Sequence, residues 1–308
     1  MTANGANMPH CGVRRRQFDS METYNCMELK NGYPLVSVIM PVYNEQRYLS
    51  RTVESILLQT FDNFEFIIIN DGSNDRTSEI LEKYRKGDNR VIILDNLTNM
   101  GCGWSTNRGI QASRGKYIAI IDAGDIAMAD RLEKQVDFLE KNYSIYILGS
   151  YAYTINDDLQ IIGMIKRDTD PLKIRKKAFR YCHAIHTTVM YRGELFDKIG
   201  LYDDRLKHAR DFELLIRALK AELLISNIPE FLMYNIEKDT GMTYSNVKRV
   251  MINEFDIRLN NYCYFVNSWN TIYLFLVFIF CLLPEPVLRY HMKLCSRGFW
   301  NTCQCMCV

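Results

Sequence analysis

The sequence is poor in the residues that build fibrous or low-complexity chains. Sixteen glycines and seven prolines in 308 residues exclude a collagen-like repeat. Charge of one sign is also lacking. Lysine plus arginine number 38 against 36 acidic residues, a net charge of +2, which excludes a dedicated polyanion or nucleic-acid binder. No GxGxxG follows the first strand-like run and no GxxxxGK[ST] occurs, which disfavours a dinucleotide oxidoreductase and a P-loop nucleotidase. The ten cysteines form no CxxC pair, and this placement suits a reducing compartment better than a disulfide framework. Residues 1–33 hold Arg14, Arg15 and Arg16 but no apolar run of about 7–15 residues, so a mobile leader is expected there rather than a secretory signal.

What is present begins at Pro34. Residues 35–42 (LVSVIMPV), 64–70 (FEFIIIN), 91–94 and 116–122 (KYIAIID) are short β-branched apolar runs, the pattern of strands buried on both faces. Between them, residues 48–59, 75–85 and 105–113 carry helical spacing. Strand and helix in strict alternation predict βαβ units: an α/β, Rossmann-like, mostly parallel sheet with helices on both faces. Further on, 145–165 predicts two strands joined at Asn156–Asp158, 171–181 a helix and 187–191 a strand.

Ligands of such sheets bind beyond the carboxyl ends of the strands. The residues that follow each strand here are Pro41, Tyr43, Asn44 and Glu45, then Asp71–Asp75, then Asn99 and Gly101, then Asp122 and Asp125. An acidic rim repels a diphosphate unless a divalent cation bridges them, and carboxylate oxygens suit Mg²⁺ or Mn²⁺. Taken singly, these residues have plainer readings: Asp71 before Gly72 as a turn, Asp122 and Asp125 as helix caps.

The ordered set PVYNE (41–45), NDGSND (70–75), NMGCGWSTNRGIQASRGKYIAIIDAGD (99–125) and ARDFEL (209–214) resembles the family 2 inverting glycosyltransferases of GT-A fold. The likeness spans about residues 35–235. It implies a nucleotide-diphospho-sugar donor with Mg²⁺ or Mn²⁺ as cofactor, and it distributes roles. Pro41, Tyr43, Asn44 and Glu45 shape the nucleobase pocket, and Asp71 accepts a hydrogen bond from the base. Gly101 and Arg108 lie on the donor side, with Arg108 in reach of a phosphate. Asp122 serves donor and metal, with Asp125 as second metal ligand. Asp211 is the general base, and His186 lines the acceptor side. His183 and His186 are not taken as a zinc site, because no third ligand is near in sequence.

Two departures stand out. The third position of the DxD-like motif is Gly124, which offers no side-chain ligand, and Arg210 precedes Asp211 where the resemblance leads one to expect glutamate. A solvent-facing Arg210 is expected, because a close cation would lower the basicity of Asp211. Without the other motifs, Asp211 reads as a carboxylate favoured by a helix N-terminus.

From Leu259 to Pro284 no charged side chain occurs, and the dense apolar core is 272–283. That is short of the about 20 residues a span needs and suits an interfacial or packed helix. Lys248, Arg249 and Arg258 precede it; Arg289, Lys293 and Arg297 follow it. No QxxRW occurs, which in the resembled family marks processive polysaccharide synthases, so transfer of single sugars is expected.

The expected organisation is a leader (1–33), a GT-A catalytic domain (34–235, with donor half 34–125 and acceptor half 126–235) and a C-terminal apolar helical extension (236–308). The expected enzyme is a hexosyltransferase acting at the cytoplasmic face of a membrane on a glycan or lipid-linked saccharide, with no nucleic-acid partner. A polyprenyl-phosphate sugar synthase and a catalytically dead nucleotide-binding domain are the alternatives, the latter suggested by Gly124.

Overall fold

The computed structural model describes residues 33–237 and 246–288. The expected leader, the cysteines beyond Cys281, and Arg289, Lys293 and Arg297 lie outside the described residues. The elements below belong to a compact unit that begins at Pro34.

Strands β1 (Val36–Val42), β2 (Phe64–Asn70), β3 (Val91–Asp95) and β4 (Tyr117–Ile120) lie parallel in the order β3-β2-β1-β4. Side chains alternate across a strand, so one run of apolar residues feeds two cores. Val38, Met40, Phe66 and Ile68 join Leu49, Val53 and Ile56 of helix α1 (Leu49–Leu57) and Leu81 of helix α2 (Thr77–Gly87). Ile39, Ile67 and Ile69 join Ile110 of helix α3 (Cys102–Ala112) on the opposite face. Both faces are thereby covered, and function is left to the strand ends.

Beyond β4 the sheet is mixed, not mostly parallel as expected. Strand β5 (Ile126–Ala127) and helix α4 (Arg131–Lys141) lead to a hairpin, β6 (Ile145–Ile155) with β7 (Ile161–Ile165). Helix α5 (Pro171–Lys177) follows, its Asp170 cap accepting from the Leu172 amide. It is shorter than the periodicity predicts. Residues 186–188 form a 3₁₀ turn, and only Met190–Arg192 pairs as β8. Strand β8 runs antiparallel to β4 and to β6. Helices α6 (Glu194–Ile199) and α7 (Arg210–Lys220) precede β9 (Leu224–Ile236), which is parallel to β6 and antiparallel to β5. The sheet order is completed as β4-β8-β6-β9-β5. The long β6–β9 pairing explains why residue spacing misled: direction is set by which strand meets which, and no period records that.

Helices α8 (Val247–Asn261) and α9 (Ser268–Cys281) follow. The buried Arg258 fastens α8. Its Nε donates to the Phe179 carbonyl at 2.9 Å, its Nη1 to Glu254 at 2.7 Å, and it lies over the Phe212 ring at 4.3 Å. That use withdraws Arg258 from the basic flank expected of it. Helix α9 buries Tyr273 and Val277 against Phe179 and leaves Trp269, Ile272, Phe275 and Leu282 exposed. Among the described residues no helix is long and apolar enough to cross a membrane.

Candidate active site

The loops after β1 and β2 are locked together. The Asn44 amide donates to Ser73 Oγ at 3.0 Å, and the Asn74 amide donates back to Asn44 Oδ1 at 2.9 Å. The Glu45 amide donates to Thr77 Oγ1, and the Gln46 amide to Asp75 Oδ2. Burial raises the Asp75 carboxyl, but the Thr77 hydroxyl and the Thr77 and Gln46 amides outweigh it and hold it below the usual carboxylate range. Asn44 adopts a left-handed φ of 54°, which asparagine tolerates better than most residues. Tyr43 is left exposed above the buried Pro41.

Asp71 is buried at the end of β2, and its carboxylate organises the loop that follows β3. Oδ1 accepts from Asn96 Nδ2 at 2.6 Å and from the Met100 amide at 2.8 Å; Oδ2 accepts from the Gly101 amide at 2.9 Å. Gly72 makes this approach possible: at φ 71°, a Cβ would stand 2.6 Å from the Thr98 carbonyl carbon. Arg108 has a different use from the expected phosphate contact. Its Nη1 donates to the Asp95 carbonyl at 2.8 Å and to Asn96 Oδ1, so it steadies the residue that steadies Asp71.

Asp122 lies past the end of β4, partly exposed, while Asp125 is buried. Asp125 Oδ1 accepts the Ile236 amide of β9 at 2.9 Å. Gly124 has φ 114°, and its amide donates to the buried Thr52 Oγ1 of α1 at 2.8 Å. Asp125, expected as a metal ligand, uses Oδ1 here as a clamp to β9. Among the described residues no three His, Cys, Asp or Glu side chains group as a metal site. Asp122 alone fits a Mg²⁺ or Mn²⁺ held chiefly by substrate phosphates, for which one carboxylate can suffice.

Asp211 occupies the first turn of α7, where the helix dipole favours negative charge. The residue before that turn, Ala209, is buried with a left-handed φ of 59°, a conformation costing a non-glycine residue about 1 kcal/mol. Arg210, expected to face solvent, does so only in part. Its Nη2 donates to Cys102 Sγ at 2.8 Å, and its buried Nε has no partner. Burial lowers the Arg210 guanidinium, but Cys102, Asp122, Asp211 and Tyr202 together raise it above its ordinary value. Asp122 and Asp211 thus both act on Arg210 through their charge.

His186 begins the 3₁₀ turn, its ring edge-on to Tyr202 at 5.8 Å between centroids. Both its ring nitrogens are buried without a partner. The Tyr202 hydroxyl meets that of Tyr191 at 2.8 Å, and burial pushes both phenols up, so they act as neutral groups. Asn107 fixes the Tyr202 backbone by a reciprocal pair, Nδ2 to the carbonyl at 2.8 Å and Oδ1 from the amide at 3.0 Å.

Sequence reasoning missed Asn96, Cys102, Arg131 and Tyr202. Arg131 is fully buried and donates to the Ile120 and Val189 carbonyls, tying the end of β4 to the approach of β8. A charged residue opening an otherwise amphipathic helix gave no signal of that. Cys102 and Arg210 are 108 positions apart and share no motif.

Against known proteins, the profile of glycosyl transferase family 2 matches residues 37–200. An uncharacterized glycosyltransferase of Methanocaldococcus jannaschii is 34% identical over 267 residues, covering 83% of this chain and 92% of that protein. Two solved structures share the fold. Staphylococcus aureus TarS 1–349 in complex with UDP-GlcNAc superposes with TM-score 0.58 at 20% identity, over 86% of this chain and 72% of that one. The mannosyltransferase PcManGT of Pyrobaculum calidifontis, in complex with GDP-Man and Mn²⁺, gives TM-score 0.58 at 14% identity, over 88% and 84%.

Proposed function

The chain belongs to glycosyl transferase family 2, and we propose that it transfers a single sugar, with inversion, from a nucleotide-diphospho-sugar to a hydroxyl of a glycan or lipid-linked saccharide. The observation that carries this reading is a polar rim at the carboxyl ends of the parallel strands, where Asp71 locks the loop after β3 and Asp122 lies past the end of β4, together with Asp211 in the first turn of α7. Asp122 lies where a donor diphosphate is expected, and Asp211 stands partly exposed at the start of a helix. The sugar-nucleotide complexes of TarS and PcManGT support a donor of this class.

Asp71 acts through the loop it holds, presenting residues 96–101 as one wall of the donor site. Asn44 and Ser73 hold the facing wall. Asp211 takes the proton of the acceptor hydroxyl as that oxygen bonds to the anomeric carbon, and the bond from that carbon to the diphosphate breaks on the opposite face. His186 and the Tyr191–Tyr202 pair border the acceptor side, the two phenols as neutral groups. Asp122 would hold a divalent cation together with the phosphates, and the cation supplies charge compensation for the leaving diphosphate. Asp211→Asn tests the assignment: turnover should collapse while donor affinity stays. Unchanged transfer to a hydroxyl acceptor would refute a base at this position.

The exposed face of α9 fits a membrane surface better than it fits a span. Trp269 is 70%, Phe275 63% and Leu282 66% exposed, while Tyr273 and Val277 face the protein. An interfacial helix buries such a face at the headgroup boundary. We place the enzyme peripherally at the cytoplasmic side, where a nucleotide-sugar donor and unpaired cysteines are both at home.

A further inference from the structure

Arg210 is a half-buried cation with no anion in ion-pair contact, and its Nε is fully buried. A guanidinium carries five N–H donors in a planar fork, and burial is tolerated when they are paired. Here Nη2 meets the sulfur of Cys102, Nη1 meets the Lys207 carbonyl at a long 3.5 Å, and Nε meets nothing. Burial pushes the Cys102 thiol up despite the nearby guanidinium, so the sulfur is a neutral acceptor and leaves the charge uncompensated. Asp122 and Asp211 act on Arg210 through their charge, yet neither is within ion-pair distance. The side chain packs along α3. Its Cδ lies over the first turn of α3, 3.3 Å from where a Cβ on Gly103 would stand.

The surroundings make the vacancy in Arg210's hydrogen bonding specific for an anion. The α3 N-terminus lies beside it, since Cys102 is the first residue of that helix, and the positive end of the helix dipole adds to the guanidinium, while Asp71 takes the Met100 and Gly101 amides just before the helix. Across from it, the motif that supplies acidic groups is depleted: Gly124 has no side chain, and Asp125 is spent on the Ile236 amide. One carboxylate fewer and one guanidinium more alter the charge of the same rim in the same direction.

We infer that Arg210 is a donor-binding residue that takes the diphosphate oxygens directly, so that this enzyme binds its nucleotide with a substantial component independent of any metal. The fork of a guanidinium matches phosphate geometry bidentately, and charge-assisted bonds of this kind are among the stronger ones. The inference rests on the nucleotide-sugar donor proposed above.

The experiment is calorimetric titration of the full chain with UDP, GDP, uridine and guanosine, in EDTA and in Mn²⁺, for the wild type, Arg210→Gln, Arg210→Lys and Asp122→Asn. In EDTA the wild type should bind its preferred nucleoside diphosphate at least tenfold more tightly than the matching nucleoside. Arg210→Gln should lose roughly 10–100-fold for the diphosphate and little for the nucleoside, with Arg210→Lys in between. Asp122→Asn should abolish only the gain given by Mn²⁺. If the diphosphate in EDTA binds no better than the nucleoside, or if Arg210→Gln leaves the difference intact, the role of Arg210 is refuted. If neither UDP nor GDP binds the wild type even with Mn²⁺, the donor reading fails and takes this one with it. The wild-type comparison in EDTA stands even where a variant fails to fold.

Discussion

Asp125 Oδ1 accepts the backbone amide of Ile236 at 2.9 Å, and that bond ties the loop after β4 to the last residue of β9. The consequence separates two aspartates that look alike in the sequence. Asp125→Ala should lower stability by about 1–3 kcal/mol, because a partly buried amide loses its partner. Asp122→Ala should leave the melting temperature nearly unchanged and remove the dependence of nucleotide affinity on Mn²⁺. Gly124→Asp, which restores a carboxylate at the third motif position, should not repair the site: φ 114° strains any residue with a Cβ. Thermal melts paired with nucleotide titrations check all three. Equal effects of the two aspartates on metal response would refute the division.

Asp211→Asn should keep fold and donor affinity and lower turnover by about 10²–10⁴, the range for loss of a general base. The amide has the shape of the carboxylate and none of its basicity. Product analysis with a hydroxyl acceptor decides it. Survival of transfer only to a phosphate acceptor would instead favour a polyprenyl-phosphate substrate, since a phosphate needs no base.

A pH effect follows from His183. It is buried, its Nε2 has no partner, and its Nδ1 is 3.7 Å from Asp168. Burial lowers its pKa to about 4, with Asp168 working in the opposite direction. Unfolded histidine titrates near 6.5, so between about 4 and 6.5 the unfolded chain binds more protons than the folded one. Stability should therefore rise with pH across that window and be fully present above it. The effect is at most roughly 3 kcal/mol at the acid end. His183→Asn should flatten the slope of melting temperature against pH between 4 and 6.5. An unchanged slope would assign it to the carboxylates.

Much of the donor half was legible because its signals are local. Two buried faces on β1 and β2 are written as unbroken apolar runs, and the polar residues after each strand mark the rim. Gly72 and Asp71 could be read as a turn, but that Asp71 reaches the Met100 and Gly101 amides depends on how two loops meet. The acceptor half was harder. Strand β9 pairs with β6 across some 80 residues, and antiparallel β8 is three residues long, too short for any period to register. Arg210 shows the limit most clearly. A charged residue on the first turn of an amphipathic helix normally faces water, and only packing against α3 turns it partly inward.

The exposed face of α9 leads to the last prediction. Trp269, Ile272 and Phe275 follow at helical spacing and are open to solvent, whereas Tyr273 and Val277 on the opposite side pack against Phe179. The helix is therefore fastened by one side, and replacing residues on the other should leave the fold intact. Burial of large apolar side chains is worth about 1.5–3 kcal/mol each, so the pair Trp269→Ser and Phe275→Ser should weaken vesicle binding by about a hundredfold or more. Co-sedimentation of the full chain with phosphatidylglycerol-containing vesicles measures this, and melting temperature guards against unfolding. A wild-type chain that stays in the supernatant, or a double variant that sediments equally well, would show that this face meets something other than lipid. Sedimentation velocity would then reveal whether that is a second copy of the chain.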